Sequence, residues 1–225
     1  MAVLRSLKMT IPQEEVFRLL GYPPGRHPQP ALTQAIDQQI AAANKLVQPA
    51  VVYDFFKVQH IDNLVVVLDG DYGLSVGAQA PEWQRVEYIA LAVCTIGKGP
   101  EAQVSRLVRN GDISAAAFLD AAGSVATESL AEMVYVRLCH RARRMGLNNS
   151  SRTSPGHGEW PLSDQQHVFD LLRPERIGIT LTHSFLMLPL KSVSFAIGLG
   201  KGFESKNDSP CLRCEVGHCA YRRRC

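Results

Sequence analysis

Helix-forming and strand-forming segments follow one another irregularly along this chain of 225 residues, and that irregularity leaves few folds open. Apolar residues recur at helical spacing before residue 47, and the spacing then changes to short runs rich in β-branched residues. A parallel sheet would need a strict alternation of strands and helices, which the sequence lacks. The order therefore predicts an α+β fold in which helices flank a largely antiparallel sheet.

The boundaries of these segments follow from proline, glycine and capping signals. Helices are predicted over residues 12–20, 30–47, 99–108 and 163–172, and over 112–145 with a break near Gly123. Strands are predicted over residues 51–58, 63–68, 86–95, 176–184 and 192–198. Residues 148–151 and 152–162 are predicted to be loops.

Four of the six cysteines crowd into the C-terminal end of the chain with the spacing C-x2-C-x4-C-x5-C. They are Cys211, Cys214, Cys219 and Cys225. The N-terminus has too short an apolar run for a signal sequence, and no run of about 18 apolar residues predicts a membrane helix. We therefore expect a cytoplasmic chain with reduced thiols, in which clustered cysteines bind a metal ion or an iron–sulfur cluster.

The spacing of these cysteines favours one kind of metal site over another. A structural zinc site usually joins two C-x2-C pairs across a longer loop. Here one such pair precedes two single cysteines, which suits a [4Fe–4S] cluster wrapped by one short peptide. Zinc stays the alternative metal, and His218 is an alternative ligand. Because residues 202–209 have the composition of a linker, we expect a domain of residues 1–202 and a cysteine-rich tail of residues 203–225.

The net charge of +3 is too small to predict a nucleic-acid partner. Arginines cluster at the end of the long predicted helix and again at residues 222–224. The first group is expected to complement the helix dipole, and the second is expected to be solvated. We therefore expect neither nucleic acid nor a membrane among the partners.

The loop that starts at Arg152 offers several groups suited to binding. Arg152 carries a planar guanidinium that can hold a carboxylate through two hydrogen bonds. Pro155 and Gly156 fix a turn that lets the backbone approach a ligand closely. His157 can ligate a metal, transfer a proton or donate a hydrogen bond. By composition alone, the same residues also fit a surface turn with a salt-bridged arginine.

A longer pattern runs through residues 152–198 and carries a resemblance to a known family. It consists of R-x-S-P-G-H-G-x-W-P-L-S-D, a helix that ends F-D-L-L, and I-G-I-x-L-T-x-S-F-x-M-x-P-x-K-S-V-S. In this order the pattern resembles the activation (reactivation) domain of cobalamin-dependent methionine synthase. A weaker similarity extends back through the predicted helix from Glu128 to Arg144. The resemblance implies a bent, C-shaped α+β unit around a twisted antiparallel sheet.

The resemblance also implies a function. The family's activation domain binds S-adenosylmethionine and docks on the cobalamin-carrying domain when cobalt is in the inactive Co(II) state. An external electron donor and the S-adenosylmethionine methyl group then restore methylcobalamin. By position, Arg152 matches an arginine that binds S-adenosylmethionine, Ser154 matches a residue whose backbone lines that site, and Glu128 matches a helix glutamate near the ligand. His157 stands where the family has a tyrosine that faces the corrinoid, and the paired tyrosines after the last strand are missing.

These observations predict a reductive reactivation partner of a corrinoid-dependent methyltransferase such as methionine synthase. The loop with Ser154, Pro155 and Gly156 would line an S-adenosylmethionine site, and His157 would act at the corrinoid supplied by the partner. The cysteine cluster would pass an electron from a low-potential donor to Co(II). The alternative is a non-redox module that binds the corrinoid protein and carries structural zinc. A separate S-adenosylmethionine-dependent methyltransferase is disfavoured, because the glycine loop of Rossmann-like folds is absent from the sequence.

Overall fold

The computed structural model describes residues 1–5, 7–23, 25–62, 65–70, 72–76 and 81–203. These ranges form an α+β fold with five α-helices and an open antiparallel sheet of seven strands, as the sequence predicts. The four C-terminal cysteines lie outside the described residues, so the metal or cluster site stays a prediction. In the part of the chain that is described, no helix is both long enough and apolar enough to span a membrane.

The described elements have the following bounds. The helices are α1 (Gln13–Leu19), α2 (Pro30–Leu46), α3 (Gly99–Arg109), α4 (Ile113–Arg144) and α5 (Gln165–Leu172). The strands are β1 (Ala2–Arg5), β2 (Ala50–Asp62), β3 (Val65–Leu68), β4 (Tyr72–Leu74), β5 (Tyr88–Thr95), β6 (Asn148–Thr153), β7 (Thr180–Leu181), β8 (Met187–Leu188) and β9 (Ser192–Gly200).

The strands of the main sheet lie in the order β4-β3-β2-β5-β9-β6, and β1 pairs with the first part of β2. Each described pairing is antiparallel, and β5 pairs with β9 from Thr95 opposite Ser192 onward. The last residue of β6, Thr153, lies opposite Ala196. The first residues of β9 therefore extend beyond the end of β6, and this corner of the sheet holds the candidate site.

Small and large side chains alternate along β5 and point into two different apolar cores. Its small residues, Ala90, Ala92 and Cys94, belong to the core shared with α1, α2 and α4. Their larger neighbours Ile89, Leu91 and Val93 belong to the core shared with α5 and β3. Because side chains in a strand point alternately to opposite faces, one strand supplies both cores. The small residues let the alanine-rich α4 lie close to the sheet.

Two predictions about local structure are wrong. α4 runs unbroken through Gly123 for 32 residues, because both halves bury apolar side chains against the same sheet. The polar residues 148–151 form the start of β6 instead of a loop. Asn149 donates to the hydroxyl of Tyr135 (3.1 Å), and the Ser150 hydroxyl accepts from the Gly198 backbone (2.9 Å). These polar side chains are therefore buried with protein partners instead of facing solvent in a loop.

The segment predicted as a strand over residues 176–184 is also mostly irregular. A 3-10 turn covers Pro174–Ile177, and only β7 remains extended, paired with β8 in a two-stranded hairpin. The edge strand β1 is not predicted at all, since the sequence shows only a short apolar run there. The other predicted helices and strands are present within a few residues of their expected bounds.

Candidate functional site at the start of β9

The loop after β6 and the hairpin β7–β8 meet beside the start of β9 around a cavity of about 260 Å³. Ser154 and His157 line it from the loop, Phe185 from the hairpin, Gln165 from α5 and Ser194 from β9. The two most specific parts of the sequence pattern, near residues 152–158 and 181–194, thus come together at one place. Tertiary structure therefore makes a single site of segments far apart in the chain.

The loop from residue 154 to residue 160 is held by its own hydrogen bonds. The Gly156 backbone donates to the carbonyl of Trp160 (2.8 Å), and the His157 backbone donates to the carbonyl of Ser154 (3.0 Å). Gly156 has φ +87°, and a Cβ there would lie 3.3 Å from Leu162 Cδ1, so both conformation and space favour glycine. The buried Trp160 indole donates to Asp164 (2.8 Å), which fixes the loop to the start of α5.

The hairpin presents a strained residue to the cavity. The Thr182 backbone donates to the Leu186 carbonyl (2.9 Å), and the Leu186 backbone donates to the Thr182 hydroxyl (3.0 Å). Between them, Phe185 has φ +60°, which is costly for a bulky residue and is often found at functional sites. The hydrogen bonds of Thr182 close the turn that contains Phe185, which lines the cavity.

Charged side chains hold the connection from the hairpin to β9. The Lys191 ammonium contacts the carboxylate of Asp120 (2.8 Å) and the hydroxyl of Ser124 (2.7 Å), both on α4. The Leu190 backbone donates to a carboxylate oxygen of Glu101 on α3 (2.9 Å). The rim of the cavity is thus bound to α3 and α4, which lie on the face of the sheet opposite to α5.

Arg152 lies at the end of β6, and its guanidinium pairs with the carboxylate of Glu128 on α4. Glu132, one turn further along, lies 3.9 Å away, and the Arg152 guanidinium carbon lies 5.9 Å from the ring centre of Phe195. The Arg152 side chain is only 12% exposed. The structure therefore brings the predicted residues Glu128 and Arg152 together, with the arginine already bound to carboxylates of its own chain.

His157 lies on the exposed tip of the loop, although its ring is covered enough to be desolvated. This desolvation, and secondly the positive charge of Arg152, lower the pKa of His157 below its ordinary value of 6.5. The imidazole is therefore neutral at neutral pH. A neutral imidazole has one nitrogen with a free lone pair, which is the form that accepts a hydrogen bond or a metal.

Gln165 is a cavity residue that sequence analysis misses, because a glutamine at a helix start has no distinctive signal. It is only 2% exposed, and its side-chain oxygen accepts a hydrogen bond from the Ser194 hydroxyl (2.8 Å). Its amide nitrogen is buried and has no hydrogen-bond partner among the described residues. Ser154 donates its own hydroxyl to the Ser194 carbonyl (2.7 Å), which completes a polar floor.

Exposed leucines surround the mouth of the cavity. Leu162, Leu186 and Leu190 line it and are 40%, 52% and 58% exposed. Apolar side chains grouped on a surface often mark a place where another molecule binds. The site therefore combines an apolar rim with a polar floor.

The two cysteines within the described residues are packing residues. Cys94 and Cys139 are both buried. Burial raises the pKa of Cys139 to about 11 and that of Cys94 further, so neither thiol is an effective nucleophile at neutral pH. In the ranges that the structure describes, no three His, Cys, Asp or Glu side chains are grouped to hold a metal ion.

Comparisons with known proteins find a likeness among solved structures. No protein-family model matches the chain, and no curated protein matches it. Among solved structures, the crystal structure of the MetH reactivation domain bound to AdoHcy is similar, with a TM-score of 0.63 and 17% sequence identity. The match covers 92% of this chain and 79% of that chain. At this level of identity, the likeness establishes that the two share a fold.

Proposed function

We propose that this chain is a reductive reactivation partner of a cobalamin-dependent methyltransferase of the methionine synthase type. The observation that carries the proposal is the meeting of residues 152–158 and 181–194, which bear the sequence resemblance, at one cavity with an apolar rim. The shared fold with the MetH reactivation domain supports it independently, because fold and local pattern point to the same class.

The apolar rim supports docking on a partner that carries the corrinoid. Leu186 and Leu190 are more than half exposed, although the chain buries many smaller apolar residues. A partner surface that covers them would recover the free energy of apolar burial, about 25 cal/mol per Å². In this arrangement the loop of His157 faces the corrinoid, and the neutral imidazole can approach the cobalt or hydrogen-bond to a group beside it.

We further propose that S-adenosylmethionine binds next to this face. The neighbouring structure contains AdoHcy, which is what remains when S-adenosylmethionine gives up its methyl group. Arg152 has the donor geometry to hold the ligand's carboxylate, with Ser154, Pro155 and Gly156 beside it along the loop. Its present partner, Glu128, is 38% exposed, so the pair can open or share the arginine when a second carboxylate arrives.

The electron would come through the C-terminal tail. Cys211, Cys214, Cys219 and Cys225 have the spacing for an iron–sulfur cluster. One electron from a low-potential donor reduces Co(II) to Co(I), and the methyl cation equivalent of S-adenosylmethionine then gives methyl-Co(III) and AdoHcy. Iron–sulfur sites reach roughly −700 mV, which is low enough for this reduction.

The test is a reactivation assay without oxygen. The purified protein is analysed for iron, zinc and acid-labile sulfide, and is then mixed with a cob(II)alamin methyltransferase, S-adenosylmethionine and a low-potential reductant. We expect about four iron and four sulfide per chain, and the spectrum of methylcobalamin to appear only when all components are present. A Cys214→Ser variant should lose the cluster and the reaction, whereas Cys139→Ser should keep both.

Two results would change the proposal. One zinc per chain without sulfide, together with binding to the corrinoid protein, would replace it by the non-redox docking module, because zinc has no redox chemistry. A chain that carries the cluster but neither binds nor reduces a cob(II)alamin protein would refute it.

A further inference from the structure

The cavity beside β9 is too small for a whole cofactor. Its volume is about 260 Å³, whereas pockets for complete drug-sized ligands usually span about 300–1,000 Å³. A corrin ring, or a whole nucleoside with its amino-acid chain, therefore lies outside it. The cavity fits one side group that projects from a larger ligand seated across the leucine rim.

The polar floor offers one donor that the protein leaves unused. Gln165 accepts from the Ser194 hydroxyl through its side-chain oxygen, while its amide nitrogen has no partner among the residues described. A buried donor without a partner is costly, so an incoming acceptor would be favoured. Gln165 lines the cavity, and because the terminal torsion of a glutamine is broad, its amide group can adjust to an acceptor that enters.

Two hydroxyl groups beside Gln165 supply acceptors. Ser154 donates its hydroxyl to the Ser194 carbonyl (2.7 Å), and the Ser192 hydroxyl is shared between the Pro189 carbonyl (2.7 Å) and the Thr95 hydroxyl (2.9 Å). Each serine oxygen keeps at least one lone pair that can accept from a ligand. The polar floor is therefore complementary to a ligand group that both accepts and donates hydrogen bonds.

The lining also favours a neutral group. No lysine, arginine, aspartate or glutamate is present among the described residues that line the cavity. Lys191 lies next in the chain to two lining residues, but its ammonium is bound to Asp120 and Ser124. A carboxylate entering the cavity would lose its hydration without gaining an opposite charge.

We propose that the cavity receives a primary amide, namely an acetamide or propionamide side chain at the edge of the corrin ring, and that Gln165 selects it. The amide oxygen accepts from the Gln165 nitrogen, and the amide NH₂ donates to the serine hydroxyl oxygens. This inference rests on the proposed function for the identity of the larger ligand. It adds a contact by which the chain distinguishes amidated corrinoids from their carboxylate precursors.

The test uses propionamide and propionate as probes with the full-length ¹⁵N-labelled chain. Two-dimensional NMR detects the side-chain NH₂ of Gln165 directly, and its absence in Gln165→Leu assigns it. We expect propionamide to shift these signals until saturation, and propionate at equal ionic strength to leave them unchanged. Gln165→Leu should weaken propionamide binding about tenfold, the effect of losing one hydrogen bond.

Matched variants separate this contact from general damage to the fold. Gln166→Leu alters the neighbouring exposed glutamine, which bonds Asp170, and should bind propionamide normally. Gln165→Glu keeps the oxygen that accepts from Ser194 but removes the NH₂ group, so it should lose binding even if Gln165→Leu does not fold.

The outcomes also distinguish this inference from the proposed function. Equal responses to propionamide and propionate, or normal propionamide binding by Gln165→Glu, would overturn the inference. A saturable amide response in a chain that docks on no corrinoid protein would keep the amide site and reject the function. Docking on an amidated corrinoid protein that is unaffected by Gln165→Glu would reject the corrinoid contact and keep the function.

Discussion

His157 differs from a surface histidine because its surroundings oppose protonation. Desolvation of the ring and then the nearby charge of Arg152 lower its pKa. The unfolded chain therefore binds this proton more readily than the folded chain. Stability from the neutral ring is present above about pH 6.5, and it is lost as the pH falls through the folded pKa. A site that uses this imidazole as an acceptor would work at neutral pH and fail in acid.

We predict that an NMR titration of the His157 ring protons gives a pKa below 6.5. Arg152→Gln should raise this pKa, because it removes the nearby positive charge. Arg152→Lys keeps the charge and should change it less. A titration at or above the ordinary value in the unmodified chain would contradict both the desolvation of the ring and its assignment as a neutral acceptor.

Arg152 shows how much of the candidate site the sequence alone can predict. The motif predicts a carboxylate-binding arginine, and composition equally predicts a salt-bridged one. In the structure it is salt-bridged, to Glu128 on a helix that begins 39 positions earlier in the chain at Ile113. The identity of that partner depends on how α4 crosses the sheet. Gln165 was not predictable for the same reason, since only the fold carries α5 to the cavity.

Among the secondary-structure elements, the spacing of apolar residues predicts those that are held by packing against a core. It does not predict those that are held by polar contacts. The strands β5 and β9 and the helix α2 follow from their apolar patterns, and α3 follows from its proline and glycine boundaries. The strand β6 has few apolar residues, and it is extended because it pairs with β9 and because Asn149 and Ser150 find buried partners. These hydrogen-bond partners come from other parts of the chain, and no local sequence pattern predicts them.

Gly123 illustrates the opposite kind of error. The glycine predicts a break in the helix, but packing keeps α4 continuous. Glycine weakens a helix by about 0.5–1 kcal/mol relative to alanine, but the apolar contacts of α4 on both sides of Gly123 outweigh this. The three atoms nearest to a Cβ at this position would all belong to the Lys191 side chain, the nearest at 3.5 Å, which is an ordinary van der Waals contact. There is therefore room for alanine in the folded protein.

We predict that Gly123→Ala raises the free energy of unfolding by about 0.5–1 kcal/mol, measured by urea denaturation. Gly200→Ala is the matched control, because a Cβ there would lie 2.6 Å from the backbone oxygen of Arg85. That variant should be destabilised. A loss of stability in Gly123→Ala would mean that α4 needs the glycine for flexibility or for the approach of Lys191.

On the scale of the whole molecule, the candidate site lies where the sheet and both cores meet. The first residues of β9 extend past β6, and the loop and the hairpin close over that corner. Leu190 and Lys191 are fastened to α3 and α4 on one face, while Trp160 and Asp164 fasten the loop to α5 on the other. The leucine rim is therefore held by rigid elements, which suits a docking surface that must keep its shape.

This arrangement predicts that docking can be weakened without unfolding the chain. Leu186→Ser with Leu190→Ser should lower affinity for a cob(II)alamin methyltransferase about tenfold or more, since both side chains are exposed in this chain and would be buried by the proposed partner. The unfolding midpoint should change little. Met145→Ser is the control: Met145 is 45% exposed at the end of α4, near the start of β6 and thus at the far end of β9. Equal affinity for both variants, measured by calorimetry, would place the docking surface elsewhere.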